Sequence, residues 1–238
     1  MQETFVFLLT AYVITEFVVQ NDWSSAHNYG SNDYLGRVVI IAVLSWFALA
    51  SFQRDALVSV LAITATHVVM CWVRQKNFGR EPWQFTLDQG IHLSFIAIIA
   101  TISPGLWAGG AWGALTTAQQ SAALVAATIV SGLAVSVGIG SKIVGFVIAP
   151  LAVLGSASSQ GVPNSGLLIG RIERLIVFGL ALGGMLEGVA VLLTAKAVRF
   201  AFGRESASKA SSDYHYAGTL MSFGWALGVA ALTQAALA

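Results

Sequence analysis

Eight stretches of this chain are nearly unbroken apolar runs, at about 3–20, 36–52, 56–73, 86–103, 117–138, 142–156, 172–198 and 214–237. A helix that crosses a bilayer needs about 20 mainly apolar residues, and most of these runs are near that length. Strands of a membrane barrel alternate in polarity, which these runs do not. Lipid offers backbone amides no partner, so spans of this kind are helices. Composition points the same way: 56% of residues are hydrophobic and 10% charged, with a mean hydropathy of +0.76, whereas soluble domains carry roughly 25% charge. The expectation is an all-α, polytopic transmembrane helix bundle with seven or eight spans. The run at 142–156 is short and contains Pro150, so a tilted or re-entrant segment is its alternative reading.

Charge orients the runs. Arg74, Lys76 and Arg80 crowd the 74–85 connection, Lys196, Arg199, Arg204 and Lys209 the 196–212 connection, and Lys142 lies between the fifth and sixth runs. The positive-inside rule puts these on the cytoplasmic side. The uncharged connections at 104–116 and 157–170 then face outward, and eight spans put both termini outside. The 21–35 connection fits least well, since it falls inside yet holds Asp22 and Asp33 and no Lys or Arg. Residues 1–20 lack a basic leader and a small-residue cleavage pattern, so they read as a retained span and not as a signal peptide. Trp23, Trp83, Trp107 and Trp112 fall at expected span ends, as interfacial aromatics do.

A net charge of +1 gives no basis for nucleic-acid binding, and the single cysteine, Cys71, excludes an internal disulfide. The lipid bilayer is the partner that composition requires. Small residues recur four apart at Gly109 and Gly113, Gly132 and Ser136, Gly179 and Gly183, Gly184 and Gly188, and Gly224 and Gly228. This spacing lets helices approach closely. It serves internal packing first, and a homo-oligomer or membrane protein complex second. Three regions follow: 1–105, a four-helix membrane region; 106–165, helices rich in small residues; and 166–238, a C-terminal helical pair.

Ionisable residues inside spans are costly and point to function. Glu16 and Gln20 in the first run, His67 and Cys71 in the third, and Asp88 and His92 in the fourth are each spaced i, i+4, with Tyr12 and Gln89 beside them. Residues four apart share a helix face. Under the charge-based orientation all three pairs lie at similar depth, near the cytoplasmic face. Thr86 and Gln89 form a candidate capping box for the fourth run. Carboxylate, imidazole and thiolate are ligands for a Zn-like divalent metal, so Glu16, His67, Asp88 and His92, with Cys71, are candidate metal ligands. Tyr12, Gln20 and Gln89 would form the surrounding polar network. The same groups suit a proton relay, or a metal-free hydrogen-bond network in which Asp88 complements a helix N-terminus. His27 and His215 lie in connecting or interfacial positions. In the C-terminal third, Arg171 and Arg174 either snorkel to the interface or bind an anionic lipid headgroup. Glu187, near the middle of its run, calls for an internal partner.

The stretch Ala11-Tyr12-Val13-Ile14-Thr15-Glu16-Phe17-Val18-Val19-Gln20, then Thr66-His67, then Leu87-Asp88-Gln89-Gly90-Ile91-His92, resembles the bacterial membrane family DUF3307. Gly170-Arg171-Ile172-Glu173-Arg174, Ala195-Lys196 and Ala217-Gly218-Thr219-Leu220-Met221-Ser222-Phe223 resemble the second half of its longer members. The resemblance brings no established function. Its intramembrane His and Asp pattern is similar in style to membrane-bound metal-dependent hydrolases. His67, Asp88, Gln89, His92 and Gln20 match the pattern. Tyr12 stands where a His is usual, and Glu16 and Cys71 where an Asp is usual; the second span, at Leu44-Ser45-Trp46, lacks the expected histidines. Two readings follow from these departures. One is an altered, smaller site in which Glu16 and Cys71 compensate. The other is a structural role, such as an accessory subunit of a membrane assembly.

Three function classes are open at this point: a cation or proton site, a metal-dependent hydrolase acting on a lipid or lipid-linked substrate with Glu16 as base, and a non-catalytic scaffold. The missing ligands favour a non-enzymatic protein. There is no Gly-x-x-x-x-Gly-Lys-Ser/Thr loop for ATP and no Cys-x-x-Cys-His haem motif.

Overall fold

The computed structural model describes residues 1–19, 31–77, 81–154, 165–202 and 209–238, and among them the regular structure is helical throughout. Helix α1 (Gln2–Val13) runs directly into a π-helical stretch, Ile14–Val19. Then come α2 (Ser31–Leu49), α3 (Arg54–Asn77), α4 (Pro82–Ile102) and a short 3-10 helix, Ala111–Ala114. Next are α5 (Thr117–Ala134), a second π-helical stretch (Val135–Ile139) and α6 (Gly140–Leu154). The chain ends with α7 (Ser165–Leu182), α8 (Leu186–Phe202) and α9 (Lys209–Leu237). Among the described residues four segments are long and apolar enough to cross a membrane: Arg54–Arg74, Pro82–Ile102, Thr117–Ala149 and Tyr216–Leu237. Leu35–Leu49 is a shorter apolar helix.

Two boundaries differ from the sequence reading, each for a local reason. The runs at 117–138 and 142–156 join: helical bonding continues from α5 through Val135–Ile139 into α6. Lys142 therefore sits within a helix, not in a connection. The π-helical stretch takes up the sequence Val135-Ser136-Val137-Gly138-Ile139, with its glycine, without ending the helix. The opposite happens at 172–198, which breaks into α7 and α8. Gly184 has φ +74°, a left-handed conformation that glycine adopts without a Cβ penalty. Its N–H donates to the Ala181 carbonyl at 3.0 Å, and Met185 N–H donates to the Leu180 carbonyl at 2.8 Å. This pair is a Schellman stop. Glu187 then lies exposed in the first turn of α8 rather than at mid-span. A carboxylate there complements the helix dipole and needs no internal partner.

The chain divides into two compact units, Met1–Ser131 and Gly132–Ala238. In the first, α1 packs on α2 and α4, and α3 packs on the same two helices, so the four close a ring. One end of the ring is capped by the 103–116 connection. The Thr4 hydroxyl donates to the Pro104 carbonyl at 2.9 Å, Ala111 N–H to the Ala50 carbonyl at 2.9 Å, and Trp112 Nε1 to the Phe47 carbonyl at 3.1 Å. Trp107 and Trp112 both pack against Phe7. Trp107 is thus a buried part of this cap rather than an interfacial anchor. Trp23 lies outside the described residues.

In the second unit α9 packs against α6 and α7, and α8 against α7. Val177, Val189, Phe223 and Ala226 form one apolar cluster, and Phe178, Ala181, Val229 and Ala230 another. Gly132 permits close approach here, since a Cβ would meet Thr233 Oγ1 at 2.2 Å. Exposure is inverted relative to a water-soluble bundle. Leu35, Val39, Val43 and Phe47 on α2, and Leu168, Ile172 and Leu175 on α7, face outward, while Glu16, His67, Asp88 and Arg174 are buried. Outward-facing apolar stripes fit lipid as the solvent.

Candidate functional site

At the end of the α1–α4 ring opposite the aromatic cap, three helical segments bring their polar residues together. The π-helical stretch after α1 carries Glu16, the last three turns of α3 carry His67 and Arg74, and the second and third turns of α4 carry Asp88 and His92. The start of α4 explains the last placement. Pro82 occupies the first helical position, and the Gln84 side chain accepts from Glu81 N–H at 3.3 Å. The capping interaction is therefore one turn earlier than the expected Thr86–Gln89 box. Thr86 instead donates back to the Pro82 carbonyl, and Gln89 is left to point inward.

The organising residue is Arg74. Its Nη1 donates to Glu16 Oε1 at 2.8 Å, and its Nε lies 3.2 Å from Asp88 Oδ1. All three side chains are buried, Asp88 completely. Gln89 bridges outward from Asp88: its Nε2 donates to Asp88 Oδ2 at 2.9 Å, and its Oε1 accepts from the Tyr12 hydroxyl at 2.7 Å. Tyr12 stacks on His92 at 4.9 Å between ring centroids. His92 meets His67 edge-on at 5.6 Å. Cys71, one turn from both His67 and Arg74, is partly exposed at the margin and lies in the field of Glu16, Arg74 and Asp88. Arg37 on α2, also partly exposed, adds a positive field at His67 and Cys71. Gln20 and His27 lie outside the described residues, as does the side chain of His215.

His92 has its tautomer fixed. Nδ1 sits 2.9 Å from the Asp88 backbone carbonyl. A carbonyl only accepts, so Nδ1 carries the hydrogen and the lone pair of the neutral ring is on Nε2. That nitrogen is buried and has no hydrogen-bond partner among the described residues. The same holds for both nitrogens of His67 and for Glu16 Oε2.

The candidate ligands Glu16, His67, Asp88 and His92 thus lie in one pocket. Even so, among the described residues no three His, Cys, Asp or Glu side chains are arranged to hold a metal ion. A guanidinium stands between the two carboxylates, where it would repel a dication. By charge pattern alone Arg74 falls with Lys76 and Arg80 in the basic 74–85 connection on the cytoplasmic side. The signal that locates it is its spacing: His67, Cys71 and Arg74 follow i, i+4, i+7, which is one helix face.

Among known protein families, the model described as "Protein of unknown function (DUF3307)" matches residues 4–126. The chain belongs to the DUF3307 family. The DUF3307 match contains the whole Tyr12–His92 group and leaves Arg171 and Arg174 outside it. No curated protein and no solved structure matches the chain.

The second polar set lies in the second unit. Arg174 Nη1 donates to Ser222 Oγ at 3.0 Å and Nη2 to Ser141 Oγ at 2.6 Å. Arg171 Nε approaches the same Ser141 hydroxyl at 3.4 Å. Glu173, between them in sequence, is engaged by Lys196 of α8.

Proposed function

We propose that this chain is a non-enzymatic, multi-spanning protein of a bacterial inner membrane whose α1–α4 bundle binds one exchangeable proton, shared by Asp88 and His92. A role as accessory subunit of a membrane assembly fits this reading. So does insertion of the shorter helices beside the four long ones, to make seven or eight membrane segments.

One observation carries the proposal: His92, whose Nδ1 lies 3.8 Å from Asp88 Oδ1 and whose Nε2 lone pair is buried, adjoins a charged group with an excess of acid. Glu16 and Asp88 bring two negative charges, and Arg74 brings one positive charge. With both imidazoles neutral, the buried ion-paired side chains among the described residues hold one more negative charge than positive, with Arg37 at the part-exposed margin. A net charge in low dielectric is expensive. One proton removes it, and His92 Nε2 is open to receive it. A divalent metal would overshoot the balance and face Arg74.

The test is a pH titration of the purified protein in lipid nanodiscs, following imidazole nitrogens by NMR and carboxyl bands by infrared difference spectroscopy. The expected result is one proton bound or released while the fold stays intact, at His92 or Asp88, and lost in Asp88→Asn. Absence of any such step overturns the proposal. So does stoichiometric metal in the wild type that disappears in a His67→Ala, His92→Ala double variant.

A further inference from the structure

We propose that Arg174, with Arg171 at its rim, forms a binding site for a phosphate-bearing anion in the second unit. This site is independent of the proton site in the first.

Arg174 is 3% exposed, and a guanidinium stays charged in a protein. Its hydrogen-bond partners among the described residues are two neutral hydroxyls, Ser222 and Ser141, and its buried Nε has none. Among the described residues no carboxylate pairs with it, since the adjacent Glu173 is taken by Lys196. Ser141 is itself committed: its hydroxyl donates to the Val137 carbonyl at 2.7 Å, so it meets both arginines as an acceptor. Two guanidinium groups therefore converge on one neutral oxygen, an arrangement that an anion between them would stabilise.

The surroundings are shaped for this side chain. Gly140 lies against it: a Cβ there would sit 2.9 Å from Arg174 Cδ and 2.6 Å from Trp225 Cδ1. A Cβ on Gly170, one turn toward the start of α7, would be 3.4 Å from Nη1. The guanidinium thus reaches back toward the N-terminal end of α7, as helical side chains do. Depth agrees with a headgroup contact. Ser222 lies six residues after Tyr216, an aromatic of the interfacial type that follows Asp213, the last charged residue of the sequence, or about 9 Å along the axis of α9. A long side chain directed toward the near membrane face can cover most of that distance. A planar fork of donors matches phosphate oxygens. The phosphate can come from an anionic phospholipid or from free inorganic phosphate, and the experiment separates the two.

Delipidated full-length protein would be reconstituted with phosphatidylcholine alone or with phosphatidylglycerol added, and retained lipid counted by native mass spectrometry. Inorganic phosphate would be titrated in parallel by calorimetry. The variants are Arg171→Gln, at the accessible rim, and Arg174→Gln, with helix content checked by circular dichroism. Retention of phosphatidylglycerol at least tenfold above phosphatidylcholine, reduced severalfold in Arg171→Gln, supports the site with a lipid source. Saturable inorganic phosphate binding that Arg171→Gln weakens supports it with a soluble source. Equal retention of both lipids with no phosphate binding overturns it. So does binding unchanged in both variants.

Discussion

Arg74 and Arg174 are both buried cations in an apolar helical protein, yet their surroundings differ in kind. Arg74 lies between two carboxylates carried by different helices. Arg174 is held by two serine hydroxyls. The first is one member of a group with surplus acid; the second is a cation with no acidic partner among the described residues. Removing an arginine therefore has opposite meanings at the two places. At Arg74 it strands buried charge. At Arg174 it removes buried charge. The family match covers the first place and not the second, so the two need not serve one function.

The largest effect is expected at Arg74. Arg74→Met leaves Glu16 and Asp88 buried without their counter-ion, at a cost of about 3–5 kcal/mol. Unfolding by SDS titration in mixed micelles measures it. Adding Glu16→Gln and Asp88→Asn to that variant should recover most of the loss. If the triple variant is no better than Arg74→Met alone, the damage comes from packing of the long side chain, and the contrast between the two arginines is broken at its root.

Asp88→Asn alone is expected to cost less, about 1.5–3 kcal/mol, the range for hydrogen bonds to charged groups. It keeps the side-chain shape, and its amide oxygen can still accept from Gln89, but it surrenders the ion pair with Arg74. It also makes the group neutral, so the pH dependence of stability should flatten. Persistence of the wild-type pH profile would place the proton elsewhere.

Tyr12→Phe is expected to cost about 1 kcal/mol. The ring still stacks on His92, while Gln89 Oε1 loses its donor. An effect near zero would mean that Gln89 can turn to another donor. The Tyr12–Gln89–Asp88 chain would then be a passive lining of the charged group rather than a brace.

The sequence carries the helical character and the shared depth of the polar pairs, because hydrophobic run length and i, i+4 spacing are local properties. It also places Asp88, Gln89 and His92 on one face of α4. It does not carry the centre of the site. Arg74 belongs by composition to the Arg74, Lys76, Arg80 cluster that marks a connection, and only the extension of α3 to Asn77 makes it a wall of the pocket. Helix ends misread for similar reasons. The chemistry of Gly183-Gly184 stops a helix inside an apolar run, while Gly138 and Gly140 do not. Hydropathy treats the two alike; the difference lies in whether packing favours a left-handed stop or a π-helical detour.

The smallest effect is expected at Arg174, and it separates the two arginines most cleanly. In lipid-free detergent, Arg174→Met should change stability by less than about 1 kcal/mol, or raise it, because an apolar side chain of similar reach replaces a buried cation. Ser141 keeps its own bond to the Val137 carbonyl, so at that residue no donor is stranded. With phosphatidylglycerol present the wild type should gain stability by mass action, and the Met variant should not. A loss at Arg174 in detergent as large as that at Arg74 would mean that an acidic partner already satisfies this cation within the protein. The second unit would then be built on the same ion-pair logic as the first.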